Sequence, residues 1–117
     1  MKFSFTTRTV NGVIVLDLSG RMDTREPLSP LHAALQGALD SGSRRFAFNM
    51  RAVETMDSSG LALLRDCVVT ITERQGEKLR LFHISDRVMT LLRITNFVQI
   101  LETCDDEQAA LASFSAE

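Results

Sequence analysis

Cysteine is scarce in this 117-residue chain. Cys67 and Cys104 stand far apart, with neither C-x-x-C spacing nor flanking histidines, so the sequence gives no support to a metal or redox site. Cys67 falls in an apolar helical stretch and reads as a small core residue. Long hydrophobic runs are missing too: nothing approaches the ~18 consecutive apolar residues of a membrane-spanning helix. The opening "MKFSFTTRTV" alternates apolar and polar residues without a continuous apolar stretch, which predicts a strand and not a signal peptide. Met1-Lys2 is no myristoylation start and "FSAE" no prenylation box. No membrane insertion is expected, and a cytoplasmic location follows by elimination. An excess of one charge sign is also absent: 13 basic and 15 acidic residues give a net charge of -2, no basis for direct nucleic-acid binding. The pair Arg44-Arg45 reads as a solvated turn. There is no linker, repeat or low-complexity stretch, so residues 1–117 are read as one domain, long enough for one real core and too short for two.

What is present is an alternation of strand and helix periods. Phe3 and Phe5 alternate with Ser4 and Thr6, and "NG" at Asn11-Gly12 leads into "VIVLDLSG", a hairpin signature. Pro27 and Pro30 bracket a helix start, since first-turn N–H groups have no intrahelical partner. Leu28, Leu31, Leu35 and Leu39 then form the apolar stripe, and "DSGS" ends it. "RFAFNM", from Arg45 to Met50, is a short strand, after which a loop carries "MDSSG" into a long helix through about Arg74. Leu61, Leu64, Val68 and Ile71 make that helix's expected buried stripe, with Leu63 and Cys67 beside it. "KLRLFHI" alternates as a strand, "DRVMTLLRIT" starts a helix near Asp86, "FVQIL" is a last short strand, and Asp105, Asp106 and Glu107 open a final helix. Strands separated by helices imply crossovers and an α/β domain: a mixed, mostly parallel sheet of about five strands with about four helices, in the order ββαβαβαβα.

The chemistry gathers in "TMDSSGLALL", Thr55 to Leu64. Glycine in a helical first turn costs about 1 kcal/mol relative to alanine, so Gly60 and its two serines point to use. Nucleophilic catalysis by Ser58 or Ser59 is one reading. A serine hydrolase is nevertheless disfavoured, because there is no G-x-S-x-G elbow and only two histidines are available, His32 on a predicted helix and His83 inside a predicted strand. Asp57 with Glu54 forms a carboxylate pair without a visible pocket. Capping is the plainer role: Asp57 or Ser58 accepts a backbone N–H at the helix start. A hydroxyl at such a junction is also open to another protein's active site, where phosphorylation would add about -1.5 to -2 charges. Helix N–H groups would welcome that charge and Asp57 would oppose it.

"MDSSGLALL" after a short strand, with "LDLSGRMD" after the hairpin, resembles the STAS domain of bacterial anti-sigma factor antagonists. "KLRLFHISDRVMTLLRIT" is similar to the family's fourth strand and third helix, and "FVQILETCDDEQAAL" to its final strand and helix. The resemblance implies a partner switch: the unphosphorylated antagonist binds an anti-sigma factor that is itself a serine kinase and frees a sigma factor. Phosphorylation of the serine after the aspartate, Ser58 here, abolishes binding, and a PP2C-type phosphatase restores it. By the same resemblance Asp23 and the loop of Thr55, Met56, Asp57, Ser58, Ser59 and Gly60 face the kinase. No catalytic residue, cofactor or metal is implied, and the chain is not expected to be an enzyme. Asn49, in place of a frequent aspartate, Asn96, in place of a frequent glycine, and the two prolines depart from the family pattern without touching Asp57-Ser58. "GLALL" and the "LSG...D" segment also resemble the STAS subunit of an ABC lipid-transport complex, which leaves a transporter regulator as the alternative.

Overall fold

The computed structural model describes residues 2–23 and 27–114. The two termini considered above for lipid attachment, Met1 and Ser115 to Glu117, lie outside them. Strands β1 (Ser4–Val10) and β2 (Val13–Met22) form the expected hairpin. Asn11 and Gly12 both take positive φ, 52° and 79°, the backbone a two-residue turn needs to match strand twist. Three further strands follow, β3 (Phe46–Met56), β4 (Arg80–Phe82) and β5 (Glu102–Cys104). The sheet runs β1-β2-β3-β4-β5. Only the first pair is antiparallel; the other three are parallel.

Among the described residues there are four α-helices: α1 (Ser29–Asp40), α2 (Ser58–Glu73), α3 (Asp86–Ile94) and α4 (Glu107–Ala112). The period-2 alternation of β2 and β3 sorts their side chains between two layers. Leu16, Leu18, Met22, Phe46, Phe48 and Met50 pack with the buried faces of α1, α2 and α3. Val13, Val15 and Ala47 point the other way and meet Phe82, Ala110 and Phe114 under α4. Arg80 is buried there with a guanidinium 3.9 Å from the Phe114 ring centroid and 2.7 Å from the Ser113 hydroxyl it donates to. Arg8 of β1 clamps the same helix by pairing with both Asp17 and Glu107, at 2.8 and 2.5 Å.

The structure corrects several expectations. The strand beginning "RFAFNM" does not stop at Met50 but runs to Met56, because register shifts against β2 let it bend and continue. Asn49 holds one of these irregularities: its amide donates to Asp17 at 2.9 Å and its carbonyl accepts the Arg51 N–H at 3.1 Å. "FVQIL" is not a strand. Asn96 adopts the left-handed region that terminates helices, and Phe97–Gln99 then make one 3₁₀ turn, leaving the strand to Glu102–Cys104. "KLRLFHI" yields only the three residues of β4, and His83 lies just beyond it. Along α2 the buried side is Gly60, Leu63, Leu64, Cys67 and Ile71. Leu61 and Val68, expected in the buried stripe, are only half-buried at its margin. Burial pushes the Cys67 thiol up to about 12, as an inert core cysteine requires. Arg44 and Arg45 do more than solvate a turn: Arg44 donates to the Leu39 carbonyl closing α1, and Arg45 pairs with Glu77 at 2.7 Å.

Candidate functional site

The junction of β3 and α2 is built around a glycine. A Cβ on Gly60 would lie 2.6 Å from the Met22 carbonyl oxygen and 2.6 Å from Met56 Cγ, closer than any real side chain tolerates. Gly60 is therefore buried packing, the price of setting the α2 N-terminus directly on the ends of β2 and β3. A hydrogen bond from Asp57 N to the same Met22 carbonyl, 3.2 Å, fixes the approach. The glycine that the sequence marks as functional works by geometry.

Asp57 is the N-cap: its backbone is extended and its carboxylate accepts the Ser59 N–H at 2.8 Å. Ser58, the first helical residue, is exposed, whereas Ser59 is half-buried. The two serines differ in direction as well. Ser59 lines a groove of about 440 Å³ between α1 and α2, together with Asp23, Leu28, Ser29, His32 and Asp66. Asp23 is only 7% exposed there and sits 3.7 Å from the Arg21 guanidinium.

Seven residues were singled out at this end of the molecule, and the fold brings them to one edge without giving them one orientation. Asp23 and Ser59 share the α1–α2 groove. Met56 lines a second, apolar groove with Val88, Leu91 and Ile94 of α3. Thr55 and Met56 still belong to β3, in register with Arg21 and Met22. Gly60 is buried, and Ser58 is exposed and lines neither groove. His32, Asp66 and Ile94 were not singled out in the sequence as site residues. A 75% exposed isoleucine on a helix that buries Val88 and Leu92 is the one of these with a visible signal, since "LLRIT" places Ile94 off the stripe of those two residues.

The imidazoles have partners elsewhere: His32 Nε2 is 2.8 Å from Thr70 Oγ1, and His83 Nε2 is 3.1 Å from an Arg51 nitrogen. Among the described residues no group of three or more His, Cys, Asp or Glu could hold a metal ion, and no helix is long and apolar enough to cross a membrane. The site offers a reachable hydroxyl at a capped helix start, with neighbours in the chain, Ser59 and Met56, that line two separate grooves.

A hairpin-led mixed sheet, with three helices on one face and one on the other and an Asp-Ser helix entry at its edge, defines an α/β domain of the kind found in bacterial anti-sigma factor antagonists. The chain matches the STAS domain model over residues 4–110 and belongs to that family. It is 25% identical to the anti-sigma factor antagonist BtrV of Bordetella bronchiseptica over 109 residues, covering 93% of this chain and 92% of BtrV. The phosphorylated form of the Bacillus cell fate determinant SpoIIAA superposes with a TM-score of 0.72 at 18% identity, covering 95% of this chain and 100% of that one. A sulfate transporter family protein from Wolinella succinogenes gives 0.67 at 25% identity, over 90% of this chain and 86% of its own.

Proposed function

We propose that this protein is an anti-sigma factor antagonist whose binding is switched by phosphorylation of Ser58. The observation that carries the reading is the exposed Ser58 hydroxyl at the first position of α2, directly after the Asp57 cap. The unphosphorylated form binds an anti-sigma factor that is also a serine kinase, and so releases a sigma factor. Asp23 and the residues from Thr55 to Ser59 form the edge that meets it, with the buried Gly60 setting the backbone beneath. A phosphoryl group on Ser58 adds about -1.5 to -2 charges beside Asp57. The fold has reason to persist, because the phosphate lies near first-turn N–H groups that favour an anion. A partner surface shaped for a hydroxyl does not, because an unpaired charge buried in a contact costs several kcal/mol. A PP2C-type phosphatase resets the switch. The chain itself supplies no catalysis and acts in the cytoplasm.

The test is incubation of the purified chain with an anti-sigma factor kinase and ATP, followed by intact mass and site mapping. Transfer of one phosphoryl group to Ser58, with loss of kinase binding, is the expected result. A second reading, regulation of a transporter by a STAS segment, is favoured by the likeness to the sulfate transporter family protein. The ABC lipid-transport version of it predicts co-purification with transporter subunits and no phosphorylation.

A further inference from the structure

On the α4 side of the sheet, away from the grooves lined by Ser59 and Met56, two cation-forming side chains meet. Arg51 of β3 points a guanidinium nitrogen at the imidazole of His83, 3.1 Å from Nε2. Among the described arginines, Arg8, Arg21, Arg45 and Arg74 pair with carboxylates. Arg51 instead has a base as its side-chain partner. Its backbone is fixed where Asn49 accepts the Arg51 N–H. His83 is held too: it takes a left-handed φ of 55° directly after β4, and the Phe82 ring stands edge-on at 5.2 Å. Left-handed backbone is uncommon for a residue other than glycine, and such strain gathers at ligand clamps.

We propose that Arg51 and His83 bind a small oxyanion of the sulfate or phosphate class. One Arg51 guanidinium nitrogen lies 3.1 Å from Nε2 and 3.5 Å from Nδ1 of the His83 ring. An oxyanion entering between them takes hydrogen bonds from the guanidinium and from a ring N–H of His83, and its charge favours the imidazolium form, whose extra proton comes from solvent. The planar guanidinium suits a tetrahedral oxyanion by offering two parallel N–H groups. Glu107 of α4 feels the charge of His83, and Asp105 follows Cys104, the partner of Phe82 in the sheet register. Glu107 and Asp17 both hydrogen-bond to Arg8, whose single positive charge leaves one negative charge over to compete with an incoming anion.

Titration with sodium sulfate, followed by NMR of the His83 ring protons across about pH 6 to 7.5, where an imidazole titrates, tests this. Sulfate keeps its charge over that range, so any pH dependence reports the imidazole; inorganic phosphate is the second probe, and sodium chloride at matched ionic strength is the control. Saturating sulfate should raise the His83 titration midpoint, and affinity should increase several-fold as pH falls. Arg51→Gln should weaken binding at least tenfold, with partial recovery in Arg51→Lys. His83→Asn, which accepts a left-handed backbone, should abolish the pH dependence. An unchanged midpoint in wild type, an equal shift with chloride, or equal binding by Arg51→Gln overturns the proposal. The wild-type midpoint needs no variant to fold.

Discussion

The two faces of the sheet are held by different physics. Under α1, α2 and α3 the side chains are almost all apolar and fully buried, Phe48, Leu16, Leu35 and Leu64 among them. Under α4 a smaller apolar cluster is completed by ions: Arg80 over Phe114, and Arg8 between Asp17 and Glu107. The first face carries few ionisable groups for a change of pH to act on. On the second, the partly exposed group of Arg8, Asp17 and Glu107 lies where solvent screens charge, so it is the part of the fold expected to respond to its medium.

The largest effect should come from the helix-covered face. Phe48→Ala empties the centre of β3 and should cost about 3–5 kcal/mol, read by urea unfolding as a lower midpoint. A loss below about 1 kcal/mol would mean that this face collapses around the gap and is not close-packed. At its edge, Gly60→Val drives a side chain into the Met22 carbonyl and should cost about 1–3 kcal/mol or more. Because the clash sits at the α2 entry, hydrogen exchange should speed up first at Ser58 to Leu61. Unchanged exchange there would remove the packing account of Gly60.

The α4 face should give the smallest change and the one that depends on conditions. Arg8→Leu should cost about 1 kcal/mol or less at neutral pH, as partly exposed ion pairs do. Hydrogen bonds from Arg8 hold the carboxyls of Asp17 and Glu107 below the usual carboxylate range. A depressed folded value means that the stabilisation is present above about pH 4 and is lost as pH falls through those lowered values. Thermal melts from pH 7 to 3 should therefore show an acid loss in wild type that is shallower in Arg8→Leu. The difference between the two proteins should also shrink in high salt. Parallel curves would place the acid sensitivity elsewhere.

The same contrast explains what the sequence revealed. The alternation in "VIVLDL" and the leucine spacing of α1 are direct records of apolar burial, and both gave the right elements. In α2 the phase was misjudged because the stripe begins at Gly60, which carries no hydrophobic side chain to announce it. Residues 60, 63, 64, 67 and 71 form the true seam. The second half of β3 was missed because "RAVETM" is irregular in burial, its register set by Asn49 contacts with Asp17 and Arg51, a tertiary matter. "FVQIL" has strand composition, yet the left-handed Asn96 ahead of it leads into a 3₁₀ turn. At the candidate site, the Asp57 cap was legible from residue type alone. The two grooves were not, since Asp23, His32 and Asp66 come from separate elements, and Met56 meets Leu91 and Ile94 across 35 or more positions.

The central claim is that Ser58, and not Ser59, is the acceptor that switches binding. It is tested most directly by mapping phosphorylation in wild type, Ser58→Ala and Ser59→Ala after incubation with the anti-sigma factor kinase and ATP, with binding measured on the same samples. The account predicts phosphate on Ser58 in wild type and in Ser59→Ala, and constitutive binding by an unphosphorylated Ser58→Ala that loses at most about 1 kcal/mol of stability. Equal phosphorylation of Ser59 in the Ser58→Ala protein, or undiminished binding by phosphorylated wild type, would contradict it.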